Sequence, residues 1–103
     1  ALVAATLALC LPAVASAQEG GDAAKGRAFA EERCARCHAI DKEGESRLPI
    51  APPFRTLAGK YPLESLEESL AEGIVTGHPG MPEVELDPSQ IADLIAWLDE
   101  ISH

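Results

Sequence analysis

The residues with the most chemical potential form one pentad, Cys34-Ala35-Arg36-Cys37-His38. Two thiols three positions apart at a helix end can each add to one vinyl group of a haem. The next residue, His38, then points its imidazole at the iron as an axial ligand. Covalent attachment and axial ligation would thus arise from five consecutive residues. Three other chemistries share part of the pattern. A redox-active CxxC follows a strand in an α/β pattern, which this sequence lacks. A zinc site needs four ligands, and no second cysteine pair follows. A disulfide across CxxC is possible and usually strained.

The sole methionine, Met81, supplies a candidate second ligand. It lies in the Gly/Pro-rich run Thr76-Gly77-His78-Pro79-Gly80-Met81-Pro82, ahead of the last helical pattern. Thioether sulfur stabilises reduced iron, so His38/Met81 ligation raises the reduction potential relative to two histidines. The plainer role of Met81 is to fill a gap in a loop. His78 is the rival ligand, and His103 is a solvated terminal residue.

Three helical stretches are expected to position these groups. The first runs from about Asp22, as N-cap, to Cys37, with Ala24, Ala28, Phe29 and Ala35 on a small-residue face. The second opens at Pro62 and ends near Gly73, with Leu63, Leu66 and Leu70 on one side and Ile74 after it. In the third, Asp87 caps, Pro88 starts, and Ile91, Leu94, Ile95, Leu98 and Ile101 form one stripe flanked by Trp97. Between them, residues 40–59 and 73–86 are rich in Gly and Pro and show no strand pattern. Irregular stretches this long need a reason, and wrapping a flat ligand is one. Only four aromatic residues occur in 103, so a core this small calls for a staple such as a cofactor.

Residues 1–17 carry no charge and end in Ala15-Ser16-Ala17, which reads as the apolar region and cleavage site of a secretory signal truncated at its start. The segment is short for a membrane span, and Pro12 interrupts it. Cys10, which follows Leu9 rather than a small residue, would leave with the signal. Residues 18–103 remain as a single domain. Export agrees with the pentad, because bacterial c-type haem is attached outside the cytoplasm. The net charge of −9 and the lack of a basic patch with interleaved aromatics argue against nucleic-acid binding. The acidity favours solubility and docking onto a basic partner.

The ordered set of motifs resembles the class I c-type cytochromes, particularly small bacterial ones. Its parts are Gly26-Arg27-Ala28-Phe29, then the pentad, then Ala51-Pro52-Pro53-Phe54, Gly80-Met81-Pro82, and Ile91-Ala92-Asp93-Leu94-Ile95-Ala96-Trp97-Leu98. The resemblance implies an all-α cytochrome c fold, with three to four helices and long loops wrapped around one haem. It implies that Gly26 lets the first and last helices cross closely, with Phe29 or Ala30 near Trp97 and Leu94. It implies that the carbonyl of Pro52 or Pro53 accepts a hydrogen bond from His38, and that Arg55, Lys60 and Tyr61 lie near the haem propionates. The chain departs from the family in placing its first-helix aromatic, Phe29, farther from the cysteines. It departs from mitochondrial members in being acidic.

The expected function is therefore one-electron transfer on a covalently bound haem c held by Cys34, Cys37 and His38, with Met81 as second iron ligand and Pro52 supporting His38. The protein would be periplasmic and monomeric, with no catalytic residues and no stable membrane insertion after signal removal. Its partners would be redox proteins with a basic docking face. Three alternatives differ in class: a haem-based sensor or ligand binder with a weak or switchable sixth ligand, a dedicated acceptor subunit of a periplasmic dehydrogenase, and a haem-free dithiol protein.

Overall fold

The computed structural model describes residues 2–6, 20–73 and 78–103. Most of the expected export signal, including Cys10 and the 15–17 cleavage pattern, lies outside the described residues, as do Ile74, Thr76 and Gly77. Among the described residues the elements are α1 (Ala23–Arg33), a 3₁₀ turn (Phe54–Thr56), α2 (Leu57–Lys60), α3 (Leu63–Glu72) and α4 (Pro88–Ile101), with no strand. The all-α expectation holds, with four α-helices among the described residues, within the three to four that the resemblance implies.

The helix α4 is the spine. Its start is fixed by a reciprocal cap: the Asp87 carboxylate accepts from Gln90 N–H, and the Gln90 side chain accepts from Asp87 N–H. Ile91, Leu94, Leu98 and Ile101 are buried. At about 1.5–3 kcal/mol for each fully buried side chain, these four dominate the helix's contribution. Ile95 and Trp97 lie half-buried at the edge of the same cluster.

The helix α1 holds by a different means. It buries only Gly26 and Ala30, and the expected Ala24 and Ala28 are exposed. It nonetheless packs more extensively on α4 than any other pair of elements. A Cβ built on Gly26 would land on the Asp93 carbonyl, and one on Gly21 would land on that of Ala92. Two glycines thus bring backbone against backbone, and Gly21 also adopts a φ of +66° that side chains disfavour. Asp93 ties the seam, its Oδ1 accepting from Asp22 N–H at 2.8 Å. Asp22 in turn caps α1 through Lys25 N–H.

Two expectations need correction. The first helix stops at Arg33 rather than Cys37, because Cys34 and Ala35 N–H both bond to Ala30 O and the chain then tightens into turns. The stretch 40–59, expected to be irregular, holds the 3₁₀ turn and α2 at its end; Pro52 and Pro53 precede the helical geometry rather than prevent it. The second helix falls as expected between Pro62 and Gly73.

Candidate functional site

The turn after α1 builds the site. Cys37 N–H and His38 N–H both bond to Cys34 O, at 3.1 and 3.0 Å. One tight turn therefore closes over Cys34 and brings both sulfurs and the imidazole to a common cavity. The loop that follows is pinned at several points. Leu48 N–H donates to Cys37 O, Phe54 N–H to Ala39 O, and Ala39 N–H to Ser46 Oγ. Trp97 Nε1–H reaches from α4 to Ile40 O at 2.8 Å, fastening the loop to the spine. Arg27 binds Asp41 through a two-pronged contact of 2.9 and 3.1 Å and stacks on Trp97 at 5.9 Å.

This scaffold holds His38. Its Nδ1 lies 2.8 Å from Pro52 O, and since a carbonyl only accepts, Nδ1 carries the proton. Nε2 is left bare, in the tautomer able to bind a metal. The Phe54 ring packs against the imidazole with centroids 5.0 Å apart. Burial lowers the His38 pKa, the Pro52 hydrogen bond partly opposes this, and nearby His78 lowers it further. The neutral form that binds metals is thereby favoured.

The cavity has a volume of about 820 Å³. Cys34, Cys37, His38, Pro52, His78 and Met81 line it, together with Phe54, Leu70, Leu86, Leu94 and Leu98. Those last five belong to the buried core, so the core is a shell around a space of ligand size rather than a filled interior. A flat, largely apolar group with a central metal fits this enclosure: apolar walls, two unpaired thiols, a bare imidazole nitrogen and a thioether.

The same geometry disfavours the competing chemistries. Burial pushes the Cys34 thiol up to about 11, with Arg33 opposing, whereas a redox-active dithiol needs a depressed value. Cys34 and Cys37 form no disulfide. Among the described residues no three His, Cys, Asp or Glu side chains cluster as a metal site. No helix among them is long and apolar enough to cross a membrane.

Of the three residues expected near the propionates, Tyr61 lines the cavity. Arg55 instead donates to Gly44 O at 2.7 Å, and neither Arg55 nor Lys60 lines the cavity. Ala30 packs in the cluster with Leu94, while Phe29 lies at its edge under the Arg33 guanidinium, 5.6 Å away. His103 pairs with Asp99 at the surface. Sequence reasoning missed the Trp97–Ile40 anchor and the Phe54–His38 contact. The place of Phe54 directly after Pro52-Pro53 was the available signal for the second.

Residues 23–102 match the family described as Cytochrome c, a span that opens with α1 and closes just beyond α4. A protein of Synechocystis sp. named "Cytochrome c-553-like" is 35% identical over 79 residues, covering 76% of this chain and 68% of its own length. With the helical order and the cavity around Cys34, Cys37 and His38, these matches show that the chain belongs to the cytochrome c family, as an electron-transfer protein rather than an enzyme, with one covalently attached haem c.

Proposed function

We propose that the chain is an exported, monomeric one-electron carrier in which Cys34 and Cys37 anchor the haem and His38 and Met81 are its two axial ligands. The observation that carries this reading is that all four side chains line one cavity. When bound, the haem supplies one-electron oxidation and reduction at iron. Everything else falls to the chain. Pro52 O holds the Nδ1 proton of His38, which orients the ring and raises the basicity of Nε2. Met81 offers a soft sulfur that favours the reduced state. Leu70, Leu94, Leu98 and Phe54 exclude water and lower the local dielectric, favouring the state of lower net charge. With His38 and Met81 holding the iron, outside molecules would find no open place at the metal, and the outcome would be transfer and not bond chemistry.

Export rests on the apolar run and the Ala15-Ser16-Ala17 pattern, with residues 18–103 as the mature domain. The docking partner carries a basic face. Beyond Lys60 the chain contains no Lys or Arg, while Glu64, Glu67, Glu68, Glu72, Glu83 and Glu85 precede the acidic residues of α4. That half of the molecule is the acidic surface a basic partner would meet.

The test is the visible spectrum of the oxidised haem-loaded protein. A weak long-wavelength methionine–iron charge-transfer band is expected in the wild type and its loss in Met81→Ala. Persistence of the band in the variant overturns the Met81 assignment. N-terminal sequencing of the exported protein should begin at Gln18, and a chain beginning upstream refutes cleavage.

A further inference from the structure

We propose that His78 is a second, built-in ligand for the iron position assigned above to Met81, so that this chain carries two competing donors three residues apart. The inference rests on the haem site proposed above and adds a residue to it. His78 belongs to the segment that delivers Met81, and Met81 N–H closes a turn onto His78 O at 3.2 Å. Both side chains line the same cavity. The two donors are therefore covalently and conformationally linked, and one cannot move far without the other.

The chemistry of His78 repeats that of His38. His38 Nδ1 donates to the carbonyl of Pro52, and His78 Nδ1 lies 3.1 Å from the carbonyl of Pro79, which likewise requires the proton on Nδ1. Both imidazoles are thereby set in the tautomer that leaves Nε2 as a bare donor. His78 Nε2 is buried and has no hydrogen-bond partner among the described residues. A buried nitrogen without a partner carries an unmet desolvation cost, which a metal at that place would remove. The two rings approach within 5.5 Å, centroid to centroid, at an interplanar angle of 59°. Both imidazoles therefore border one space.

The two donors differ in kind. Imidazole suits oxidised iron better than a thioether does, and a thioether suits reduced iron better than imidazole does. His78 would therefore take the position when Met81 is lost, and the chain would keep the metal closed to outside ligands.

Three haem-loaded proteins test this by absorption and electron paramagnetic resonance of the oxidised state: Met81→Ala, His78→Ala, and the double variant. Met81→Ala should stay low-spin, with a histidine–histidine signature, and the double variant should become high-spin. Exogenous imidazole should bind the double variant about tenfold more tightly or better, because an internal competitor reduces the open fraction. Should the double variant fail to accumulate, Met81→Ala with His78→Gln gives the same comparison. A high-spin Met81→Ala protein that binds imidazole as tightly as the double variant overturns the inference while leaving Met81 ligation intact. If instead the wild type lacks the methionine band and His78→Ala becomes high-spin, His78 is confirmed as ligand and the Met81 reading is the one that fails.

Discussion

Replacing Gly26 by alanine sets two effects of opposite sign against each other, and the geometry decides between them. Helix propensity alone favours alanine by about 1 kcal/mol in a helix interior. The new Cβ, however, would sit 2.5 Å from the Asp93 carbonyl carbon, closer still to its oxygen, and 3.0 Å from Leu94 N. Non-bonded carbons settle at about 3.5–4.0 Å, so α1 and α4 must part by about 1 Å or more. The obstacle is backbone, which has no rotamer to change. Overpacking of this kind costs about 1–3 kcal/mol, and a gap of ~1 Å forfeits up to about half of each attraction across the seam. That seam includes Ala30, Leu94 and Leu98. The net expectation is a loss of about 3 kcal/mol. For a domain of this size that lowers the melting temperature by about 12–24 °C. Thermal unfolding of haem-loaded protein, followed by far-ultraviolet circular dichroism, measures it. Gly59→Ala is the control: Gly59 lies in α2 and an added Cβ meets nothing within 4 Å. That control should be neutral or up to about 1 kcal/mol more stable. A Gly26→Ala protein that melts at or above the wild-type temperature refutes the close-approach argument.

Trp97→Phe keeps a ring in place but strips the donor from Ile40 O, so urea unfolding should show a loss of about 1–3 kcal/mol; an unchanged midpoint removes the anchor from the account. Asp87→Ala removes both the cap of α4 and half of its reciprocal pair, for about 1 kcal/mol by the same assay. Acidification of the haem-free protein should destabilise its fold from about pH 6.5 downward: with no iron on Nε2, burial lowers the His38 pKa below 6.5, so the unfolded chain takes up the proton first. Stability that rises as pH drops through this window contradicts the buried neutral imidazole. Electron transfer to a basic partner should slow with added salt, since attraction between exposed charges is screened within about 8–10 Å at physiological ionic strength; rates indifferent to salt refute charge steering.

What could be read from the sequence follows from how local each determinant is. The helix α4 was legible because its cap, its proline and its apolar stripe all lie within fifteen consecutive residues. The pentad was legible for the same reason. The end of α1 was not: nothing in Cys34-Ala35-Arg36-Cys37 forbids a helix, and the turn arises when Cys34 O gathers the N–H groups of Cys37 and His38. The buried face of α1 was misread because apolarity marks Ala24 and Ala28, whereas proximity selects Gly26 and Ala30. The roles of Trp97 and Phe54 depend on partners 57 and about 16 positions away, Ile40 and His38, which no periodicity reports.

The two sides of the cavity are built to different standards. On the His38 side, the imidazole is fixed by Pro52 O, the Phe54 ring and turn hydrogen bonds, and the loop around it is fastened to α4 through Trp97 and to α1 through Arg27. On the other side, among the described residues, the 78–82 segment shows one backbone hydrogen bond of its own, Met81 N–H to His78 O, and it holds two donors within four residues. A one-electron carrier benefits from ligands that move little on redox change, and the His38 side meets that demand through its many restraints. The Met81 side would meet it only if the donor bound in one redox state were also preferred in the other. Two donors of different softness within four residues put that preference under the control of composition. Substitutions there should therefore shift the reduction potential with little change in stability, whereas loss of the Pro52 contact should change both together. A Met81→Ala protein whose melting temperature falls as far as that of Gly26→Ala would show that the two sides are restrained alike.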